Sequence, residues 1–336
     1  MGVVGTGHIG RNHARLFADL AGPDFVAICD SNQATAGEIA GLYGAKACTG
    51  LEEFAGLIDA ATIATPTPSH FEIAKFLLER GKHVLIEKPI TETTADAKVL
   101  AGIAQERGLV LQVGHVERFN PVLGAIESRL NQPRFIESHR LSPYPNRSTE
   151  IGVVLDLMIH DLEIILHLVR SPVQSVDAVG VPVLSSREDI ANARLRFENG
   201  CVANITVSRV SPERLRKIRV FQEDAYLSLD YQGQAGFIYR LAEGHEHESS
   251  LLKKLFAGSS SAIVSEFAGK KIVREPVEIE KGEPLRRELA DFLECAHSGA
   301  QPKVSGSEAT AALELALDIT RRIEEGIEAH PRSRKP

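Results

Sequence analysis

Cysteine is scarce and unpatterned in this chain of 336 residues: Cys29, Cys48, Cys201 and Cys295 stand far apart, with no CxxC spacing. That scatter excludes a disulfide framework and a cysteine zinc site, and predicts reduced thiols. No apolar run is long enough to cross a bilayer, and no stretch reads as a signal peptide. Positive charge is not concentrated either; Lys and Arg number 38 against 45 Asp and Glu, a net charge of −7. Neither a nucleic-acid nor a membrane partner is therefore expected, and the closing RSRKP reads as a solvated tail over 331–336. No internal repeat is visible. These absences predict a soluble, cytoplasmic protein. With 43% hydrophobic residues, a chain of this length is expected to form two domains with separate cores.

What is present begins at the first residue. MGVVGTGHIG reads as a short apolar strand running into Gly5, Gly7 and Gly10, followed by a helix over 8–20. Glycines so placed allow the tight turn, the close approach of a pyrophosphate and helix–strand packing, while the helix N-terminus offers free amides. A second apolar strand, 25–29, ends in Asp30, twenty residues past the last glycine. An acid there accepts from a ribose 2′-hydroxyl and repels a 2′-phosphate, so NAD is expected over NADP. The expected cofactor contacts are Gly5, Thr6, Gly7, His8, Ile9, Gly10 and Asp30. Only Met1 to Val4 precede the turn, so the strand is either trimmed or continued upstream; the second is preferred.

Strands and helices then alternate, as a doubly wound sheet requires: helices over 34–43, 69–80 and 94–107, strands over 60–64, 83–86 and 110–113. Two loops fall at the carboxyl ends of these strands, where open α/β sheets bind ligands. TPTPSH brings Thr65, Pro66 and His70 into consideration as cofactor contacts, and EKP brings Glu87 and Lys88. A lysine between an acid and a proline that fixes the backbone is a catalytic candidate, although a surface lysine is the plain alternative.

From residue 118 the pattern changes. Asn120 before Pro121 suits a helix cap. A nearly all-apolar helix over 153–169 carries a stripe of Asp156, His160, Glu163 and His167, interrupted also by Asp161. The spacing of Asp156 and His160 stacks them on one face of an ideal helix, as a satisfied core network or as a working pair. Glu163 and His167 are expected to reach solvent. Four ligands spread along one helix cannot converge on an ion, so no metal is expected. Strand runs follow, with Asn199-Gly200 as a hairpin turn, then strands near 217–220, 226–230 and 237–240. Residues 241–270 read as an irregular insertion, and helices over 284–297 and 307–325 close the chain.

The ordered set GTGHIG, ATPTPSH, IEKP and LDxxIHD resembles the glucose-fructose oxidoreductase, inositol dehydrogenase and MocA family over nearly the whole chain. The resemblance implies an α/β Rossmann domain with a doubly wound parallel sheet over 1–117, and an α+β domain with a large, mostly antiparallel open sheet over 118–330. It implies oxidation or reduction of a sugar or cyclitol carbon with NAD, with Lys88, Asp156 and His160 as catalytic residues, and a homodimer or homotetramer formed through the second sheet. It leaves open whether His160 or Lys88 is the base. GHVERFNP, PYPNRSTEIG and LDLMIHDLEII further resemble enzymes that oxidise the 3-hydroxyl of UDP-N-acetylglucosamine ahead of amination, sometimes for lipid A. A UDP-sugar substrate would then meet Lys88, Arg118, Asn120, Arg147, Asp156 and His160, with His139 and Arg140 as further diphosphate anchors. An inositol or simple-sugar dehydrogenase is the nearest alternative, and a dinucleotide-binding regulator without catalysis is the non-enzyme one.

Overall fold

The structure is a computed structural model and describes residues 1–144, 150–242, 262–267 and 270–329. The chain divides into two compact units. The first comprises Met1–Phe119 with Gly282–Leu315, and the second Asn120–Lys281 with the residues from Ala316.

In the first unit β1 (Gly2–Val4), α1 (His8–Leu20), β2 (Ala27–Cys29), α2 (Gln33–Tyr43), β3 (Lys46–Cys48), α3 (Leu51–Ala55), β4 (Ala60–Ile63), α4 (His70–Glu79), β5 (His83–Glu87), α5 (Thr94–Arg107) and β6 (Leu111–Gly114) follow one another. The strands form one parallel sheet in the order β3-β2-β1-β4-β5-β6. Helices cover both faces, which is why Val3, Ile28, Ala61, Ile63 and Val84 to Ile86 are apolar on both sides of the pleat and buried. Strand order reverses beside β1, so the loops leaving β1 and β4 bracket the switch point. Asn32 and Thr93 accept backbone amides as caps of α2 and α5.

The second unit contains α6 (Pro121–Gly124), β7 (Phe135–Leu141), a π turn (Val154–Met158), α7 (Ile159–Val169), β8 (Val173–Val181), β9 (Ile190–Phe197), β10 (Val202–Ser208), β11 (Leu215–Phe221), β12 (Ala225–Asp230), β13 (Ala235–Leu241), β14 (Ala262–Phe267) and β15 (Lys270–Pro276). They make a nine-stranded sheet ordered β14-β15-β13-β12-β11-β7-β10-β9-β8. All neighbours are antiparallel except β7 and β10, which run parallel. Alternation buries one face: Ile136, Ser138 and Arg140 of β7 point inward while Phe135, Glu137 and His139 do not. Asn199-Gly200 turns between β9 and β10 as its dipeptide predicts. Part of the expected insertion is β14, and its residues 243–261 lie outside those described, as does the tail 331–336.

Two helices close the chain, α8 (Pro284–Ser298) and α9 (Gly306–Ala329). The expected second domain over 118–330 is corrected here, because α8 belongs to the first unit. Its Leu289, Phe292 and Cys295 complete a core cluster with Phe17, Phe25, Ile28 and Ile39. The four cysteines are free and buried, and among the described residues no helix is long and apolar enough to cross a membrane. Phe292 is fully buried in this cluster. Phe292→Ala should therefore cost about 3–5 kcal/mol in denaturant unfolding; a loss under about 1 kcal/mol would show that α8 adds little to the first core.

Candidate active site

The glycine turn is built by exclusion of side chains. Gly5 has φ +90°, and a Cβ on it would stand 2.8 Å from the Ala64 carbonyl oxygen. A Cβ on Gly10 would lie 1.9 Å from the Gly5 carbonyl oxygen, so α1 can enter this close to β1 only without one. At Gly7, the N-cap of α1, a Cβ would meet nothing within 4 Å; this is the open approach a pyrophosphate needs. No side chain caps α1 and no acid sits in its first turn, so its amide end remains electrostatically suited to an anion. His8 and Ile9 are exposed on that first turn.

Asp30 stands at the end of β2 and accepts from the Thr6 hydroxyl at 2.6 Å and the Thr6 amide at 2.7 Å through Oδ2, and from the Asn32 amide at 2.8 Å through Oδ1. Burial alone would raise its pKa, but the bonds from the Thr6 hydroxyl and the Asn32 and Thr6 amides outweigh it and hold the carboxyl below its usual range. The group is thus a fixed anion whose Oδ1 retains a lone pair for a hydroxyl donor. These observations fit NAD.

The loops after β4 and β5 are tied to each other. His70, buried at the start of α4, faces the Thr65 carbonyl with Nε2 at 2.8 Å and the Pro89 carbonyl with Nδ1 at 3.0 Å. Its ring is spent on the two loops, which corrects the expectation that it contacts the cofactor. Glu87 is held by His13, a residue that sequence reasoning missed although its spacing from Gly10, Ala14 and Phe17 puts it on the buried face of α1. Lys88 follows, half-buried, joined to Pro89 by a cis peptide. His115 was missed too. It is buried beside Lys88 and Arg118, and burial first, then the charges of Lys88 and Arg118, lower its pKa to about 3.

In the second unit Asp156 lies within the π turn, where the Ile159 amide donates to the carbonyl of Val154, five residues back. The ideal-helix stacking expected for Asp156 and His160 is therefore not the backbone geometry here. Both side chains are half-buried, and Nδ1 of His160 is buried. The turn is anchored from the β8–β9 connection: Glu188 accepts the Val154 amide at 3.2 Å, and a Cβ on Gly152 would fall 1.8 Å from the same carboxylate oxygen. Burial raises the Glu188 pKa against the pull of its hydrogen bonds and nearby arginines. Beside it Asp189 accepts three amides, from Val183, Leu184 and Ser185, and pairs with Arg209 at 2.7 Å. Arg209 in turn donates to the Ile151 carbonyl at 2.8 Å.

Several substrate candidates are corrected. Arg140 is buried on β7 and bound to Asp161 at 2.7 Å, with Ser138 on the same carboxylate at 2.8 Å, so it anchors α7 and not a diphosphate. His139 points to the opposite face of β7. Asn120 is buried, caps α6 through the Val122 amide and donates to the Tyr231 carbonyl at 3.0 Å, the structural role its sequence context suggested. Glu163 is buried, not solvent-facing, whereas His167 is half-buried. Arg118 is half-buried in the turn Val116–Phe119, and Arg147 lies outside the described residues.

A family model described as an oxidoreductase family with an NAD-binding Rossmann fold, GFO/IDH/MocA, matches residues 1–115, and the GFO/IDH/MocA C-terminal domain model matches 123–228. The chain is similar to the UDP-N-acetylglucosamine 3-dehydrogenase of Acidithiobacillus ferrooxidans, 38% identical over 72% of this chain and 77% of the relative. It is also similar to the scyllo-inositol 2-dehydrogenase (NAD(+)) of Bacillus subtilis, 26% identical over 97% of this chain and 94% of that one. Among solved structures, the Acidithiobacillus ferrooxidans enzyme superposes with a TM-score of 0.84 at 33% identity, covering 96% of this chain and 97% of the other.

One pH dependence follows from His115. The unfolded ring takes up a proton near pH 6.5, whereas the folded ring resists until about 3. The stability it contributes above pH 6.5 is therefore lost as the pH falls between these values, by about 1.4 kcal/mol per pH unit. His115→Gln should flatten this acid slope in denaturant titrations; identical slopes for the two proteins would refute the assignment.

Proposed function

Because the chain belongs to the GFO/IDH/MocA oxidoreductase family and uses NAD, we propose that it oxidises the 3-hydroxyl of UDP-N-acetylglucosamine to a ketone, ahead of an amination. The observation that carries this reading is the similarity to the Acidithiobacillus ferrooxidans 3-dehydrogenase, at 38% in sequence and 0.84 in TM-score. NAD would be held by Gly5, Thr6, Gly7, His8, Ile9, Gly10 and Asp30, with Thr65, Pro66 and Glu87 from the following strand ends. When bound it supplies the hydride acceptor.

The roles of Lys88, Asp156 and His160 rest on the family motifs they match. His160 takes the hydroxyl proton at Nε2, in keeping with the burial of its Nδ1, and Asp156 stabilises the imidazolium that results. Lys88 donates a hydrogen bond to the same substrate oxygen, or itself serves as the base. Arg118 and Arg147 are assigned to the diphosphate. Assembly through the nine-stranded sheet belongs to the same reading; Phe135, Phe221, Tyr226 and Tyr239 form a ladder of ring contacts at 4.5–5.5 Å across it.

The match to scyllo-inositol 2-dehydrogenase favours a second reading, a polyol dehydrogenase with no need of diphosphate anchors. NADH formation with UDP-N-acetylglucosamine, its uronate or myo-inositol separates the two. Reduction of NAD by the first compound alone is expected, while turnover of myo-inositol would overturn the substrate assignment. His160→Asn should lower kcat by about 10²–10⁴ and leave NAD affinity unchanged by titration; undiminished turnover would remove His160 from the chemistry.

A further inference from the structure

Two buried histidines grip the residues on either side of Lys88. His13 on α1 is fully buried, with Nδ1 3.0 Å from the Thr62 hydroxyl of β4 and Nε2 3.0 Å from Oε1 of Glu87. A carboxylate only accepts, so Nε2 donates to Glu87, while Nδ1 meets a Thr62 hydroxyl that can either donate or accept. The other Glu87 oxygen takes the Lys88 amide at 3.3 Å. Gly114, its partner on β6, leaves the space that the Glu87 side chain fills, since a Cβ there would stand 3.0 Å from the carboxyl carbon. On the far side, His70 bridges the Pro89 and Thr65 carbonyls at 3.0 and 2.8 Å. A neutral ring donates to one of these carbonyls and an imidazolium to both. Each histidine thus lies between β4, or the loop leaving it, and a residue adjacent to Lys88, with a ring nitrogen within hydrogen-bond distance of both.

Imidazoles at such sites are costly to bury, and an apolar side chain would occupy the space without that cost. The hydrogen bonds of both rings converge on positions 87 and 89. We propose that His13 and His70 are positioning residues that fix the lysine loop from both flanks, so that the Lys88 ammonium enters the reaction from a single backbone conformation. This rests on the reading of Lys88 as a catalytic residue. A displaced catalytic group can lose about a hundredfold in rate, and releasing either flank should cost about tenfold to a hundredfold in kcat.

The test is a pair of double-mutant cycles on the full chain with saturating NAD: His13→Phe and His70→Phe, each with and without Lys88→Met, using whichever of the three compounds above is oxidised. Expected is a fall in kcat for each histidine variant alone, none further in the Lys88→Met background, and partial recovery in His13→Gln and His70→Gln. Equal losses in both backgrounds would mean that the histidines merely support the fold, and would overturn the proposal. An undiminished kcat in Lys88→Met would instead sink the reading of Lys88, and this proposal with it.

A second readout needs no substrate and also serves if a phenylalanine variant does not fold. Acetic anhydride labels Lys88 and the exposed Lys270 in competition, and peptide mass spectrometry gives their ratio. The histidine variants, including those to glutamine, should change that ratio severalfold; an unaltered ratio in all four would overturn the proposal.

Discussion

A carboxylate taken out of water must be met by donors or by a cation, and the second unit is organised by where that demand is satisfied. Asp161 meets it with Arg140 and Ser138, which sets the height and rotation of α7 on β7. Asp189 meets it with Arg209 and three amides, and Arg209 passes the constraint to the Ile151 carbonyl. Glu188 reaches the first turn of the π segment and excludes any side chain at position 152. Ion pairs of this kind are weak evidence for stability, since apolar replacements can do as well. Their effect here is on register. The segment carrying Asp156 and His160 is held at several points by groups that accept only one arrangement.

The first unit solves a different problem. Its strands are largely apolar on both faces, so the candidate binding groups gather at their carboxyl ends, beside residues that pack or cap. Thr6 orients Asp30, the lack of a Cβ at Gly10 seats α1, and His13 and His70 reach from helices to the ends of β4 and β5. Binding groups on loops are in this way referenced to the sheet.

What could be read in advance followed from local signals. Thr93 and Gly108 bound α5 where the apolar spacing stops, and Asn199-Gly200 marks its hairpin without help from elsewhere. The three residues of β3 and five of α3 carry too little periodicity to be seen. Arg140 looked like an anchor for phosphate because its partner, Asp161, is 21 residues away and on another element. The π turn leaves no compositional trace, so Asp156 and His160 were recognisable as a motif while their backbone was not. His13 went unremarked although its spacing fits a buried-face position, because only the tertiary contact with Glu87, 74 residues on, gives it meaning.

The return of α8 to the first core has a consequence for synthesis. Phe17, Phe25 and Ile39 leave the ribosome early, yet their cluster is completed by Leu289 and Phe292 some 250 residues later. While the intervening sheet is being made, the nascent first unit carries an uncovered apolar face on α1 and β2, a transient surface of the kind that favours association between unfinished chains. The order of translation therefore places the last step of folding the cofactor domain after the second unit's strands have emerged.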